Sequence, residues 1–194
     1  MNLIKGVDLF MYYDYYSFWC KDCARKVIAS KNQTICRCEY CGHDYEILDI
    51  SYKDNSSAPL SNLFPHKFVI DGVKCLSMES FIQSLRVEDK NIQRNICEEY
   101  TGYMAYKMRL SLPDWRRDGY VYWQGKKILR FSEEYQKLLT KAYDMLFEND
   151  VFRFCLNTHK NKVLFHTIGC YDEKETLLTP CEYINQLERL IEKL

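Results

Sequence analysis

Leu60-Ser61-Asn62-Leu63-Phe64-Pro65-His66-Lys67-Phe68-Val69-Ile70-Asp71-Gly72-Val73-Lys74-Cys75-Leu76-Ser77-Met78-Glu79-Ser80-Phe81-Ile82-Gln83-Ser84-Leu85-Arg86 reads as a loop, a short hairpin and the opening of a helix. Asp71-Gly72 lies between two β-prone runs, and Gly accepts the positive φ that a tight hairpin turn demands. Ser77 suits a helix N-cap, and Met78, Phe81, Ile82 and Leu85 recur at the spacing of one helix face. Glu79, Gln83 and Arg86 fall at i, i+4 and i+7, a polar stripe beside the apolar one. A carboxylate, an amide and a guanidinium in register suit the wall of a small-molecule pocket. They equally suit a solvated face with a charge pair, and periodicity does not choose between the two.

Ser61-Asn62-Leu63, Asp71-Gly72, and Glu79 with Gln83 follow one another in an order that resembles the NADAR (YbiA-like) family. Ser80, Phe81 and Arg86 stand where that family has His, Tyr and Lys. Leu112-Pro113-Asp114-Trp115 resembles a further family segment, Arg109 resembles the end of a family Gly-Arg pair, and the likeness runs from about Leu60 to Leu194. It implies an N-glycosidase acting on a ribose-linked amine, either a phosphorylated riboflavin-pathway intermediate or an ADP-ribosylated guanine. Breaking such a bond passes through an oxocarbenium-like centre, which needs a carboxylate and a means of neutralising the leaving nitrogen. The resemblance gives Glu79 the acid/base or electrostatic role. Asn62 and Gln83 would orient ribose hydroxyls or water, and Arg86 would bind phosphate or hold Glu79 ionised.

The chain has 194 residues, enough for one ordinary core and a small appendage. Its 27 basic and 27 acidic residues balance, so no global field draws nucleic acid or anionic membrane to it. High aromatic content suits a dense core or a stacking surface. The opening residues carry Lys5 and Asp8 and form no long apolar run, which predicts a cytoplasmic protein with no membrane partner.

Five of the ten cysteines crowd between Cys20 and Cys41. Cys20-x-x-Cys23 and Cys38-x-x-Cys41-Gly42 supply four thiolates, the set that a tetrahedral, structural Zn²⁺ accepts. Cys36 and His43 are rival ligands. Nearby basic residues are matched by Asp22, Glu39, Asp44, Glu46 and Asp49, though a ribbon of this kind could still touch nucleic acid. The aromatic run Phe10–Trp19 either stacks on bases or seats the ribbon on the rest of the protein.

Further along, Asp89–Glu99 and Met104–Leu110 read as helices, and Tyr120–Gly125 as a strand and turn continued by Lys126–Arg130. Trp123-x-Gly125 and Arg130-x-Ser132 are similar to patterns in phage-type members of the family. Trp123 either stacks on a planar ligand or fills the core, and Arg130 either binds phosphate or lies on the surface. Ser132 caps a helix burying Tyr135, Leu138, Leu139, Ala142, Met145 and Leu146. Lys162–Gly169 reads as a strand, with His166 as a site residue or a hydrogen-bonded core residue. Asp172, in the loop Cys170–Glu175, occupies the place of a family site loop but without its Trp-Gly. Thr179-Pro180-Cys181-Glu182 is a capping box opening the last helix, which gives Glu182 a structural role.

The resulting expectation is an α+β protein: a four-cysteine zinc ribbon over residues 1–50, a linker over 51–58 and a helix-rich NADAR-like domain over 59–194. The expected activity is removal of ADP-ribose from a modified guanine base or nucleic acid. The alternatives are an N-glycosidase on a riboflavin-pathway metabolite and a non-catalytic nucleotide-binding module.

Overall fold

The computed structural model describes residues 15–31 and 33–194. Its first unit is two antiparallel hairpins, β1 (Tyr15–Trp19) with β2 (Lys26–Ser30), and β3 (Ile35–Arg37) with β4 (Asp44–Asp49). Each hairpin is turned by one Cys-x-x-Cys pair. Val27 and Ala29 alternate inward along β2, and Tyr45 and Ile47 along β4, as the period of two requires. So few residues make a thin core, and it is completed from far along the chain. Strand β9 (Val163–Phe165) joins β4 in parallel, matching Ile47 with Val163 and Asp49 with Phe165. The Phe165 ring lies 4.0 Å from that of Tyr16 and 6.3 Å from that of Phe18. The aromatic run therefore seats the ribbon against the second half of the protein; its portion Phe10–Asp14 lies outside the described residues. Leu48 and Leu164 turn to the opposite side and enter the main core.

The polar segment Ser51–Ala58 is tied down rather than extended. The Asp54 carboxylate accepts from Ser56 N and from both Ser56 and Ser57 hydroxyls, and Ser57 and Ala58 are buried.

The main core begins with the hairpin β5 (Phe68–Ile70) and β6 (Val73–Cys75), whose turn residues Asp71 and Gly72 both take positive φ, 50° and 76°. Helix α1 (Met78–Ser84) follows, capped by Ser77 in a reciprocal box with Ser80. Next come α2 (Lys90–Glu99), capped by Asp89, and α3 (Gly102–Met108). A second hairpin, β7 (Tyr120–Trp123) with β8 (Lys126–Leu129), turns at Gln124-Gly125. Helices α4 (Glu133–Phe147), α5 (Asp150–His159) and α6 (Pro180–Ile191) close the structure, capped by Ser132, Asn149 and Thr179. Among the described residues, six α-helices with several small sheets make an α+β fold, as the sequence predicts. No helix among the described residues is long and apolar enough to cross a membrane.

Trp123 takes the core-filling alternative of its sequence reading, and Arg130 takes neither of its two, ligand contact or surface residue. Trp123 is buried, packs edge-on against Phe81 at 5.0 Å, and donates Nε1–H to Asp71 at 2.9 Å. Arg130 is wholly buried: Nη1 and Nη2 grip the two Glu182 oxygens at 2.9 and 2.7 Å, and Nε donates to Thr176 O. An arginine whose donors are met in this way is neither on the surface nor offering its fork to a ligand. Glu182 has more than its capping duty.

Candidate active site

Helix α1 is buried almost all round. Met78, Phe81, Ile82 and Leu85 enter the core as expected, but Ser80, Gln83 and Ser84 are buried too. The solvated-face reading of its polar stripe thus fails, because α3 lies alongside. The Gly102 N–H donates to Ser77 Oγ at 2.9 Å, and Arg86 Nη1 donates to Arg109 O at 2.9 Å, so α3 runs parallel to α1. This approach depends on glycine, since a Cβ at Gly102 would stand 1.8 Å from Leu63 O.

Glu79 sits on that seam, half-buried. Its backbone N–H donates to Asn62 O at 2.9 Å, which docks the Ser61–Leu63 loop on the first turn of the helix. Its Oε1 accepts from Gln83 Nε2 at 2.9 Å, an i, i+4 pair within the helix. Burial pushes the carboxyl above its ordinary value of 4.5, against the lowering pull of the Gln83 hydrogen bond and the Arg109 charge. Asn62 Oδ1 accepts from the Tyr143 hydroxyl at 2.8 Å. Burial, with the Tyr183 hydroxyl and the Glu79 charge adding to it, holds that hydroxyl well above its usual range.

The helix ends sooner than the stripe predicts. Its last residue is Ser84, so Arg86 lies in the turn beyond and swings toward α3 and the Pro113 segment. Arg86 Nε donates to Pro113 O at 3.1 Å, and Nη1 also reaches Gln83 Oε1 at 3.4 Å. Burial lowers the Arg86 pKa and Asp114 opposes this, while the like charges of Arg116 and Arg109 add to the lowering; of these guanidiniums, Arg109 is the one whose charge Glu79 feels.

Asn62, Glu79, Gln83 and Arg86 are therefore brought together, with Arg109 close enough to be felt by Glu79. Trp123 and Arg130 are committed to Asp71 and Glu182. Asp172 is exposed on its loop, accepting from Lys174 N at 2.9 Å. His166 is bonded through Nδ1 to Ile50 O at 2.8 Å and lies edge-on to Tyr183, the hydrogen-bonded core role. Tyr143 was hidden from sequence reading because it sits among the apolar positions of α4, where a tyrosine reads as core. Two surface hollows of about 490 and 630 Å³ lie along α4, α5 and the C-terminus, and Glu79 lines neither.

The ribbon holds a separate cluster. The sulfurs of Cys20, Cys23, Cys38 and Cys41 all lie within 4.8 Å of one another and could hold a metal ion. The shorter separations, 3.5 Å for Cys20–Cys41 and 3.6 Å for Cys23–Cys38, approach the roughly 3.8 Å edge of a tetrahedron with Zn–S near 2.3 Å. Cys36 is instead buried in the ribbon core with its Sγ toward Ile28 O at 3.5 Å. His43 pairs with Asp22 at 2.6 Å and leans on Tyr45. Neither rival belongs to the cluster. Behind each Cys-x-x-Cys pair a left-handed residue turns the backbone inward, Ala24 at φ 54° and Gly42 at φ 78°. The Tyr45 hydroxyl donates to Cys20 Sγ at 3.1 Å, a hydrogen bond that fixes the orientation of this sulfur within the cluster.

Fold and site together describe a small α+β protein with a cluster of four cysteines and, apart from it, a half-buried carboxylate held by Gln83 and felt by Arg109. The chain belongs to the family described as bacteriophage protein GP30.3, which matches residues 54–192. It is 32% identical over 140 residues to the 17.1 kDa protein in the Gp30-rIII intergenic region of enterobacteria phage T4, covering 71% of this chain and 91% of that one. Among solved structures it is similar to the E. coli protein YbiA, determined by NMR, at a TM-score of 0.47 and 17% identity over 76% of this chain and 81% of that one.

Proposed function

We propose that the protein is an N-glycosidase that releases ADP-ribose from a modified guanine base, with Glu79 as its acid/base. The observation that carries this reading is a half-buried carboxyl, raised in pKa, held by Gln83 and within the field of Arg109. The motif order Ser61-Asn62, Asp71-Gly72, Glu79 and Gln83 supports it. Burial keeps a proton on Glu79 closer to neutrality, where it can be given to the departing nitrogen; the carboxylate left behind then faces the cationic ribosyl carbon and takes a proton from the attacking water. Gln83 sets the carboxyl's orientation. With Asn62 Oδ1 engaged by Tyr143, the amide NH₂ is the part offered to a ribose hydroxyl. Arg109, whose charge Glu79 feels, suits a phosphate of ADP-ribose, while Arg86 is largely held by backbone carbonyls and Arg116 by Asp114 and Glu175. Asp172, on its exposed loop, remains a substrate contact within the same proposal.

The cysteine cluster fits a structural Zn²⁺, held by Cys20, Cys23, Cys38 and Cys41, which ties two hairpins that have little core of their own. The chemistry at Glu79 is independent of it.

The test is hydrolysis of an oligonucleotide carrying ADP-ribosylated guanine. Wild type should release free ADP-ribose, and Glu79→Gln and Glu79→Ala should lower the rate by roughly 10²–10⁴-fold. Release from a phosphorylated riboflavin-pathway amine alone would move the substrate to a metabolite. Inertness toward both would sink the enzyme and leave a nucleotide-binding module.

A further inference from the structure

Helix α3 presents an outer face that shares only Arg109 with the site at Glu79. Its inner residues, Gly102 and Ala105, are small and buried against α1. Outward it shows Tyr103, Met104 and Tyr106, exposed by 56%, 57% and 39%. The two tyrosine rings are nearly parallel, 21° apart with centroids 6.2 Å from each other. Each has a cation against it: Lys107 Nζ is 4.7 Å from the Tyr103 ring, and the Arg109 guanidinium is 3.8 Å from that of Tyr106. Exposed aromatics of this size are seldom left on a water-facing helix without a partner.

The charge around them is one-sided. A chain with as many acids as bases has no acidic residue from Thr101 to Pro113. Lys107, Arg109 and Arg117 lie in or just beyond this stretch; Asp114 is engaged by Arg116, which also meets Glu175. Planar π-faces flanked by cations, without carboxylates between them, complement a strand of stacked bases on a phosphate backbone. Met104 and Leu110 are exposed here too, but the parallel rings, each with a cation against it, are what stacked bases use and what neither a lipid surface nor an acidic protein would need.

We propose that the outer face of α3 binds single-stranded nucleic acid, with bases on Tyr103 and Tyr106 and phosphates on Lys107, Arg109 and Arg117. Because α3 packs directly on α1 and Glu79 feels the charge of Arg109, a strand on the outer face of α3 lies one helix away from that carboxylate, with Arg109 at the shared end. On the reading of Glu79 proposed above, this makes the substrate a modified base within a strand rather than a free metabolite, and it moves the nucleic-acid contact from the ribbon to α3. Binding itself does not depend on hydrolysis.

The experiment is fluorescence anisotropy of the full chain with unmodified labelled oligo(dT) and oligo(U), across a salt series. Both strands should bind, since stacking and phosphate contact need no particular sugar. The slope of log K against log salt should be about −2 for three phosphate contacts at ~0.7 each. Tyr103→Ala and Tyr106→Ala should each weaken binding about tenfold, and Lys107→Ala should flatten the slope by roughly 0.7. These positions are exposed, so unchanged melting shows that the variants are folded, and Phe154→Ala on the exposed face of α5 is the control that should leave binding intact. Preference for one sugar would name the natural strand and leave the proposal standing. Absent binding, binding insensitive to the tyrosines, or binding only to phosphatidylserine vesicles would overturn it. Oligonucleotide binding without ADP-ribose release would uphold the surface and count against the glycosidase alone.

Discussion

Replacing Arg130 by Met tests whether this arginine serves the fold or a ligand. Its side chain is essentially sealed from solvent and its partner Glu182 nearly so, at 1% and 16% exposure. Breaking a buried pair of this kind from one side costs about 3–5 kcal/mol, because the remaining charge stays buried without its counterion. For a chain of this length each kcal/mol moves Tm by roughly 2–4 °C, so Arg130→Met should melt about 6–20 °C below wild type. Adding Glu182→Gln should recover much of the loss. Gln at that position keeps the capping box with Thr179 and removes the stranded charge. The pH dependence follows from Glu182. Burial raises its pKa, but the Arg130 hydrogen bonds and charge, with help from Thr179 N–H and Gln136, bring it below the usual 4.5. A depressed carboxyl stabilises the fold above its unfolded pKa and ceases to do so as pH falls through the folded value. The deficit of Arg130→Met should therefore be largest at neutral pH and shrink in acid. Circular dichroism melts of the four combinations at two pH values measure all of this. A single-variant loss below about 1 kcal/mol, or additive losses in the double variant, would refute the reasoning.

Glu79→Gln should stabilise the fold at neutral pH. The wild-type carboxyl, raised by burial above 4.5, contributes its full stability below that value and loses it as pH rises through the folded pKa, whereas Gln has nothing to ionise. Urea titrations should show the variant ahead at about pH 7 and level at about pH 4; equal stability at both would contradict the burial argument. Ala24→Gly should gain about 1 kcal/mol in the metal-bound ribbon, since Ala24 holds φ 54° at a cost that glycine avoids. Slower metal release to a chelator, or a higher Tm, would register it. Titrating the thiols with a mercurial should release one zinc per chain. Hydrogen exchange should then quicken in β1–β4 and β9 while α1 and α6 stay protected; sub-stoichiometric zinc would reject the site. Gly102→Ala should cost about 1–3 kcal/mol or more, because its Cβ meets backbone at Leu63, which cannot turn aside as a side chain would.

Much of the local architecture is legible in the sequence because short-range rules govern it. Asp71-Gly72, Ser77, Ser132 and the Thr179–Glu182 box each act within a few residues, and the structure places a turn or cap at every one. The same holds for the Glu79–Gln83 pair, one helical turn apart, and for the two Cys-x-x-Cys turns whose sulfurs converge. Asp150–His159 shows the opposite. Its apolar centre, Phe152–Leu156, is too short for periodicity to separate helix from buried strand, and the Asn149 cap decides it.

Tertiary structure alone decided the pairings between distant positions. No local pattern announces that β4 will take β9 as a parallel neighbour, that Phe165 will complete the ribbon core, or that Tyr143 will hold Asn62. Arg130 and Trp123 left ligand contact open as one reading because a charge or an indole N–H in a sequence shows its bonding capacity without its partner. Folding supplied Glu182 and Asp71, since a buried donor left unmet would cost more than the packing around it returns. Backbone preference and side-chain period act along the chain and can be read there; desolvation acts in space, and it selected which polar groups remain available beside Glu79.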